Sequence, residues 1–463
     1  MTEPSPQPVD GPSSQPREAD RLRELLRSPD YLRVLVYSAL IGIPVSLVAF
    51  WFLVALHEVQ HVLWAEIPHH LGWDTAPWWW PLPLLLIAGV LVGLIATRMT
   101  GGGGHIPAGG LHAGAMPPAA LPGVVLAAAA SLPLGAVLGP EAPLIALGGG
   151  LALLFRRLTR IAGTPQATAL LGAAGAAAAI AAIFGNPLIA AVLLIEVAGI
   201  GGPQLFALML PALLSSGIGS LVFTGIGHWT GLETGSLNLT LPTPLPHLDP
   251  ADVLWTILIG FVLAVLLNPV LEVGRRVAAF VSGGVLPRTV LCALGAAACA
   301  AVYALITGRP PADVALSGQA TLGELAADPH AWGVGALIAV LILKTTAYAL
   351  CLGSLRGGAI FPAVFLGAAA GVLLAPLPGL GAVPAMAAGM AASTAAIMRL
   401  PVSSVVLVVL LLGSSAMIPL AILAAVISFA VTELLPAGST LSPAPAAEER
   451  AADTGGPTAA GTP

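Results

Sequence analysis

Charge is what this 463-residue chain has least of. Asp, Glu, Lys and Arg make up only 8% of it, and a single lysine, Lys344, occurs. Soluble domains carry about 25% charged residues, so a water-soluble enzyme does not fit the composition. The net charge of −5 lies mostly in tails and loops and implies no nucleic-acid partner. Cysteine is also scarce. The three present, Cys292, Cys299 and Cys351, all lie in apolar stretches, which indicates neither a disulfide framework nor a metal cluster. No cleavable signal peptide is evident, because the first apolar block begins only near Val34 after an Arg-bearing polar lead.

What fills the space is apolar residue. At 57% hydrophobic residues and a mean hydropathy of +0.94, the chain reads as a polytopic, all-α membrane protein. Some fourteen apolar blocks run from about Val34 to Leu435, against the roughly 20 residues one crossing needs. The first crossing is expected at Val34–Val62. Blocks such as Leu144–Leu154 and Pro187–Ala198 are too short to span alone, and the 54 glycines and 42 prolines supply many breaks. Broken and tilted helices of this kind line sites in transporters.

Residues 1–30 read as a Pro/Ser-rich lead that becomes an amphipathic surface helix, and 437–463 as a polar tail; both are expected to be disordered or loosely attached. Between them lie a first repeat, 31–240, and a second, 241–436. Ala181-Ala182-Ile183-Phe184-Gly185-Asn186-Pro187 aligns at an offset of 214 with Ala395-Ala396-Ile397-Met398-Arg399-Leu400-Pro401. Crossing counts do not say whether the repeats are inverted. Basic residues at 17–33, Arg98, Arg156, Arg157, Arg160, Arg275 and Arg276 contrast with loops 63–80 and 227–252, which have none. The positive-inside rule then places the N-terminus, the loop at 98–120 and the Arg156 turn in the cytoplasm and loops 63–80 and 227–252 outside. Both termini are expected in the cytoplasm and the protein in the plasma (inner) membrane.

Three glycine-led breaks carry the chemistry: GGGGHIP at Gly101–Pro107, GPEAP at Gly139–Pro143 and GGAIFP at Gly357–Pro362. Glycine lets backbone approach a ligand, and proline fits a first helical turn where its missing N–H costs nothing. A helix N-terminus presents unpaired N–H groups and about half a positive charge. Several such ends aimed at one point would bind an anion with no fixed Lys or Arg beside it. The second break also carries a lone acid, Glu141, deep in apolar sequence. A carboxylate there can take the anion's own place, and protonation releases it.

In order and spacing these motifs resemble those of the CLC chloride channel/transporter family, with FGNPL at Phe184–Leu188 and Leu352-Gly353-Ser354 as further matches over roughly residues 30–435. The resemblance implies two inverted repeats, a homodimer with one pathway per subunit in the bilayer, chloride or a similar small anion as cargo, protons as a possible second cargo, and no cofactor. Carried over by position, Glu141 is the gate. Anion contacts fall to Gly103, Gly104, His105, Ile106 and Pro107, to Gly139, Pro140, Ala142 and Pro143, and to Gly358, Ala359, Ile360 and Phe361.

The chain also departs from the family. Gly104 stands at the anion-coordinating serine, His105 replaces a glycine, and Pro140 replaces a basic residue. The inner tyrosine has no match nearer than Ser442. The relay glutamate of the exchangers falls at Val197, next to Glu196, which either substitutes for it or is a solvated helix end. His105 is either an anion donor or pH sensor, or a structural histidine. Channel-like or weakly coupled flux and proton-coupled antiport with an altered relay therefore both stay open. A third reading comes from His57-Glu58-Val59-Gln60-His61, which fits the H-E-x-x-H of intramembrane zinc proteases but has no third ligand beyond Asp249, placed in an outer loop.

Overall fold

The computed structural model describes residues 23, 24, 26–110, 116–159, 164–199, 203–232, 239, 241 and 248–436. The boundary between repeats at 240, Ser442, Arg160, and nearly all of the N-terminal lead and C-terminal tail lie outside them. Among the described residues the secondary structure is helical, with one isolated antiparallel bridge.

In chain order the helices are α1 (Pro29–His61), α2 (Pro81–Arg98), α3 (Leu121–Ser131), α4 (Glu141–Leu158), α5 (Pro165–Phe184), α6 (Pro187–Ala198), α7 (Pro203–Thr230) and α8 (Pro250–Ser282). They continue with α9 (Val285–Thr307), α10 (Gln319–Ala327), α11 (Val334–Ser354), α12 (Ile360–Leu374), α13 (Ala382–Met398), α14 (Pro401–Leu412) and α15 (Ile418–Leu434). Seven of these begin on proline, where a fixed φ helps and no N–H is lost. The first crossing starts earlier than hydropathy indicates, because Ser28 caps α1 by accepting from the Tyr31 N–H at 3.3 Å. Its helix also runs on through a π-turn, Val62–Glu66, to His70.

Eight described helices are long and apolar enough to cross a membrane, the protein being an integral membrane protein. The stretch Pro29–His70, at 42 residues, exceeds a bilayer's roughly 20-residue need. In contrast α3, α6, α12, α13 and α14 are too short to span. Of these, α12 and α13 are buried almost end to end, so their termini finish inside protein rather than in lipid.

The two halves repeat each other. Helix α1 packs on α5 and α7 as α8 packs on α13 and α15; α4 packs on α5 as α12 on α13. The offset of 214 residues holds in the backbone itself. Gly185 and Arg399 both close a helix in the left-handed region, with φ of 65° and 56°, and Gly199 and Gly413 do so one helix later, with φ of 59° and 60°. The closest helix crossings repeat too. A Cβ on Gly148 would strike the Gly175 carbonyl and the reverse, and Gly367 and Gly389 stand in the same relation. Small residues at these crossings let backbones touch.

The halves join along α2 against α9 and α6 against α14. A further tie is the buried ammonium of Lys344 on α11, which donates to the carbonyls of Asp313, Val314, Ala315 and Leu316 at 3.0–3.3 Å. It pins the turn before α10, whose Leu316 N–H reaches across to the Gly135 carbonyl at 3.2 Å. Beside it Asp313 accepts from Tyr303 and Arg309; burial pushes its carboxyl up and the Arg309 bond pulls it back.

Candidate anion site

Two of the three breaks face each other directly. Gly139 and Gly358 exchange backbone hydrogen bonds of 2.8 and 2.6 Å, so the segments leading into α4 and α12 lie antiparallel, and both helices begin within two residues. The bridge leaves no room for side chains: a Cβ at either glycine would collide with the Glu141 carboxylate. These glycines hold the site by what they omit.

Glu141 is the first residue of α4 and is 1% exposed. Its Oε1 accepts from the Phe361 N–H at 2.9 Å, and the Ile360 N–H and its own N–H also face the carboxylate. The acid of one half therefore sits in the N-terminus of a helix from the other half, where unpaired amides and the helix dipole favour a negative charge. Its Oε2 has no partner. An unpaired buried carboxylate oxygen costs free energy.

The breaks converge around this acid. A cavity of about 40 Å³ is lined by Pro107 from the first break, Glu141 and Ala142 from the second, Gly358, Ala359 and Ile360 from the third, and Met398 at the end of α13. Phe361 stacks its ring 5.7 Å from that of Phe184, which brings the FGNPL segment to the same place. A second cavity, of about 20 Å³, lies across Ala142 and Gly357 and is lined by Gly103, Gly104, His105 and Pro143. Ile106 lines neither cavity and is 37% exposed. The first break differs from expectation in form. A 3₁₀ turn, Pro107–Gly109, follows it, with no α-helix start among the described residues. Gly101 to Gly104 all have positive φ, which is what packs the loop so tightly.

The expectation that no arginine stands beside the pathway is overturned. Arg356, 9% exposed, lines the second cavity and donates to the carbonyls of Gly102 and Leu355. Ser131 fixes its backbone, donating to the Arg356 carbonyl at 2.7 Å and accepting from its N–H at 3.3 Å. The signal was in the text: an arginine immediately before a Gly-Gly helix start in a chain with little charge. Tyr348 was also missed. Its hydroxyl donates to the Ala359 carbonyl at 2.8 Å, bracing the third break from α11, and it lies near enough to Glu141 to feel its charge.

Glu196 ends α6 at the seam between halves. Its carboxylate accepts from the Val402 and Ser403 N–H groups at 2.9 and 2.7 Å and from the Ser403 hydroxyl at 2.6 Å, capping α14. Val197 packs against the core. His57, Glu58 and His61 are exposed at the end of α1, where His61 Nδ1 lies 3.5 Å from Glu66. Among the described residues no group of three or more His, Cys, Asp or Glu side chains is placed to hold a metal.

A family model described as voltage gated chloride channel matches residues 106–433. Similar proteins include the putative ion-transport protein YfeO of Escherichia coli (strain SMS-3-5 / SECEC), 27% identical over 72% of this chain and 77% of that protein. The YfeO of Salmonella choleraesuis (strain SC-B67) is 28% identical over 73% and 79%. Among solved structures, a slow cyanobacterial Cl−/H+ antiporter superposes with a TM-score of 0.71 at 19% identity, over 87% of this chain and 95% of that one. A CLC-type fluoride/proton antiporter gives 0.64 at 19% identity, over 87% and 96%.

Proposed function

Because the chain belongs to the voltage gated chloride channel family, we propose that it carries chloride or a similar small anion across the membrane and that Glu141 is the gate. The observation that carries this reading is the position of the Glu141 carboxylate. It accepts the amide of Phe361 at the start of α12, the kind of donor an anion would use, with one oxygen left unpaired. Anion and carboxylate compete for one socket. Protonation removes the charge that holds the side chain there, and the anion then enters.

The coupling mode we favour is uncoupled, channel-like flux. Val197 has no proton to carry, and Glu196 spends both oxygens capping α14. A homodimer and an inner-membrane location with both termini cytoplasmic complete the reading; they rest on family membership and on the arginines at the ends of α2, α4 and α8. Liposomes loaded with chloride, with chloride and pH electrodes read together, test it. Chloride efflux without proton movement against a chloride gradient is expected. No flux of any halide, nitrate or fluoride rejects anion transport, and proton pumping rejects the uncoupled mode alone.

A further inference from the structure

Trp64 has no part in the gating described so far. It lies in the π-turn Val62–Glu66 that carries α1 past its α-helical end. The polar side chains of that end, His57, Glu58, His61, Glu66, His69 and His70, are all exposed, whereas Trp64 is buried. Turns of this kind inside helices concentrate at functional sites. The neighbouring tryptophans Trp73, Trp79 and Trp80 stack on one another edge to face, as an interfacial cluster does. Trp64 reaches into the protein instead.

What it meets is the turn that feeds the gate. Its indole Nε1 donates to the Pro133 carbonyl at 2.9 Å, a buried bond. A Cβ on Gly135 would stand 2.9 Å from the indole ring, and Gly135 has a φ of 110°, so only glycine lets the ring lie against the backbone there. From the other half, the Leu316 N–H donates to the Gly135 carbonyl at 3.2 Å. Leu316 is itself in the left-handed region, with φ of 67°, and the Lys344 ammonium holds its carbonyl at 3.2 Å. Both halves therefore grip residues 133–135, just ahead of Glu141.

From there to the gate the chain is tied throughout. The Ala136 N–H donates to the Ser131 carbonyl at 3.1 Å and the Leu138 N–H to the Ala136 carbonyl at 2.8 Å, and Gly139 then enters the bridge with Gly358. Leu132 and Leu138 pack over Gly357 with no space for a Cβ between them. Close-packed interiors transmit displacement, so a shift at Pro133 reaches Gly139 and the bend on which the Glu141 side chain stands.

We propose that Trp64 is a positioning residue of the gate: by fixing the turn at 133–135 it seats the Glu141 carboxylate in the socket at the start of α12. This deepens the reading of Glu141 as the gate and rests on it. Without the indole N–H, the buried Pro133 carbonyl loses its partner, the turn relaxes, and the carboxylate leaves the socket more readily.

The test uses the full-length protein in liposomes. Trp64→Phe keeps a ring against Gly135 and removes the donor. Its chloride flux at neutral pH should be about threefold that of wild type, the worth of part of one hydrogen bond, with the pH profile displaced upward by about half a unit. Both residues are neutral, and His61 and Glu66 beside Trp64, and Tyr348 and Arg356 near the gate, stay as they are, so no change of charge moves the profile. In a Glu141→Gln background, where no carboxylate has to be seated, adding Trp64→Phe should leave the flux unchanged. A Trp64→Phe profile that overlays wild type overturns the proposal. An equal change in both backgrounds also overturns it, since that is what a merely structural role gives. If Trp64→Phe does not elute as folded protein, Gly135→Ala takes its place, its methyl pressing on the Trp64 ring and displacing the same turn, with the same outcomes read. Wild-type liposomes that carry no anion reject the transport reading, and the positioning role falls with it. Wild-type flux whose pH dependence Glu141→Gln abolishes, beside an inert Trp64→Phe, rejects the role of Trp64 alone.

Discussion

The starts of α4 and α12 have nearly the same backbone and opposite chemistry. Each follows a glycine of the same bridge, and each helix packs on its neighbour through a pair of touching glycines, Gly148 with Gly175 and Gly367 with Gly389. The first half then supplies a carboxylate, Glu141, and the second supplies the amide of Phe361 that receives it. On the proposed reading, one half makes the plug and the other makes the socket. The charge around them is also divided unequally, with Pro140 before α4 and Arg356 before α12. Duplication kept the frame, and the two copies took separate roles in one site.

The largest effects should come from breaking the frame in either copy. Gly148→Leu and Gly389→Leu each push a side chain into a facing backbone carbonyl, so neither variant should give a monodisperse peak in size-exclusion chromatography. If only one of them fails, the halves are not equivalent in packing. Next in size is the socket. In Gly358→Ala the new methyl takes the space of Glu141 Oε2, which the proposed gating gives to the anion, so chloride affinity measured by calorimetry should fall at least tenfold, about 1.4 kcal/mol. Normal affinity in a folded variant would mean that anion and carboxylate do not share the site.

Smaller effects sharpen the comparison at the seam. Glu196→Gln leaves one acceptor at the start of α14 and should cost about 1 kcal/mol of stability in a denaturation series. Its chloride flux and proton movement should match wild type; a change in proton movement alone would make Glu196 a relay after all. Smallest of all is the pair Gly185 and Arg399, which share one left-handed conformation. Gly185→Ala should cost about 1 kcal/mol, as L-residues dislike that region. Arg399→Gly should change stability by less, since relief of the backbone offsets the loss of an ion pair with Glu433 that is half open to water.

Much of this was legible from the residues. Apolar blocks gave the many-helix membrane architecture and the bounds of one short helix, Pro187–Ala198, and the recurrence of Ala-Ala-Ile before Phe184 and Met398 marked the duplication that the paired left-handed turns carry through. Glu141 stood out because an acid inside apolar text has few reasons to be there. What was hidden depended on partners distant in sequence. The amide of Phe361 is a backbone group with no signature, and it reaches Glu141 across some 220 residues. Arg356 drew no reading from the sequence, because its carbonyl partner on Gly102 lies 254 residues away. Glu196 was ambiguous for the same reason, its fate decided by Ser403. The extension of α1 back to Pro29 came from a cap, Ser28, which hydropathy does not register.

The competition between the Glu141 carboxylate and the anion for one set of amides is best tested by chloride flux as a function of pH. The ionised side chain holds the socket and the protonated one yields it, so wild-type flux should rise as pH falls. Glu141→Gln, neutral at every pH, should carry chloride at a pH-independent rate no lower than the wild type reaches in acid. A Glu141→Gln protein whose flux still rises with acid, along the wild-type profile, would contradict the account.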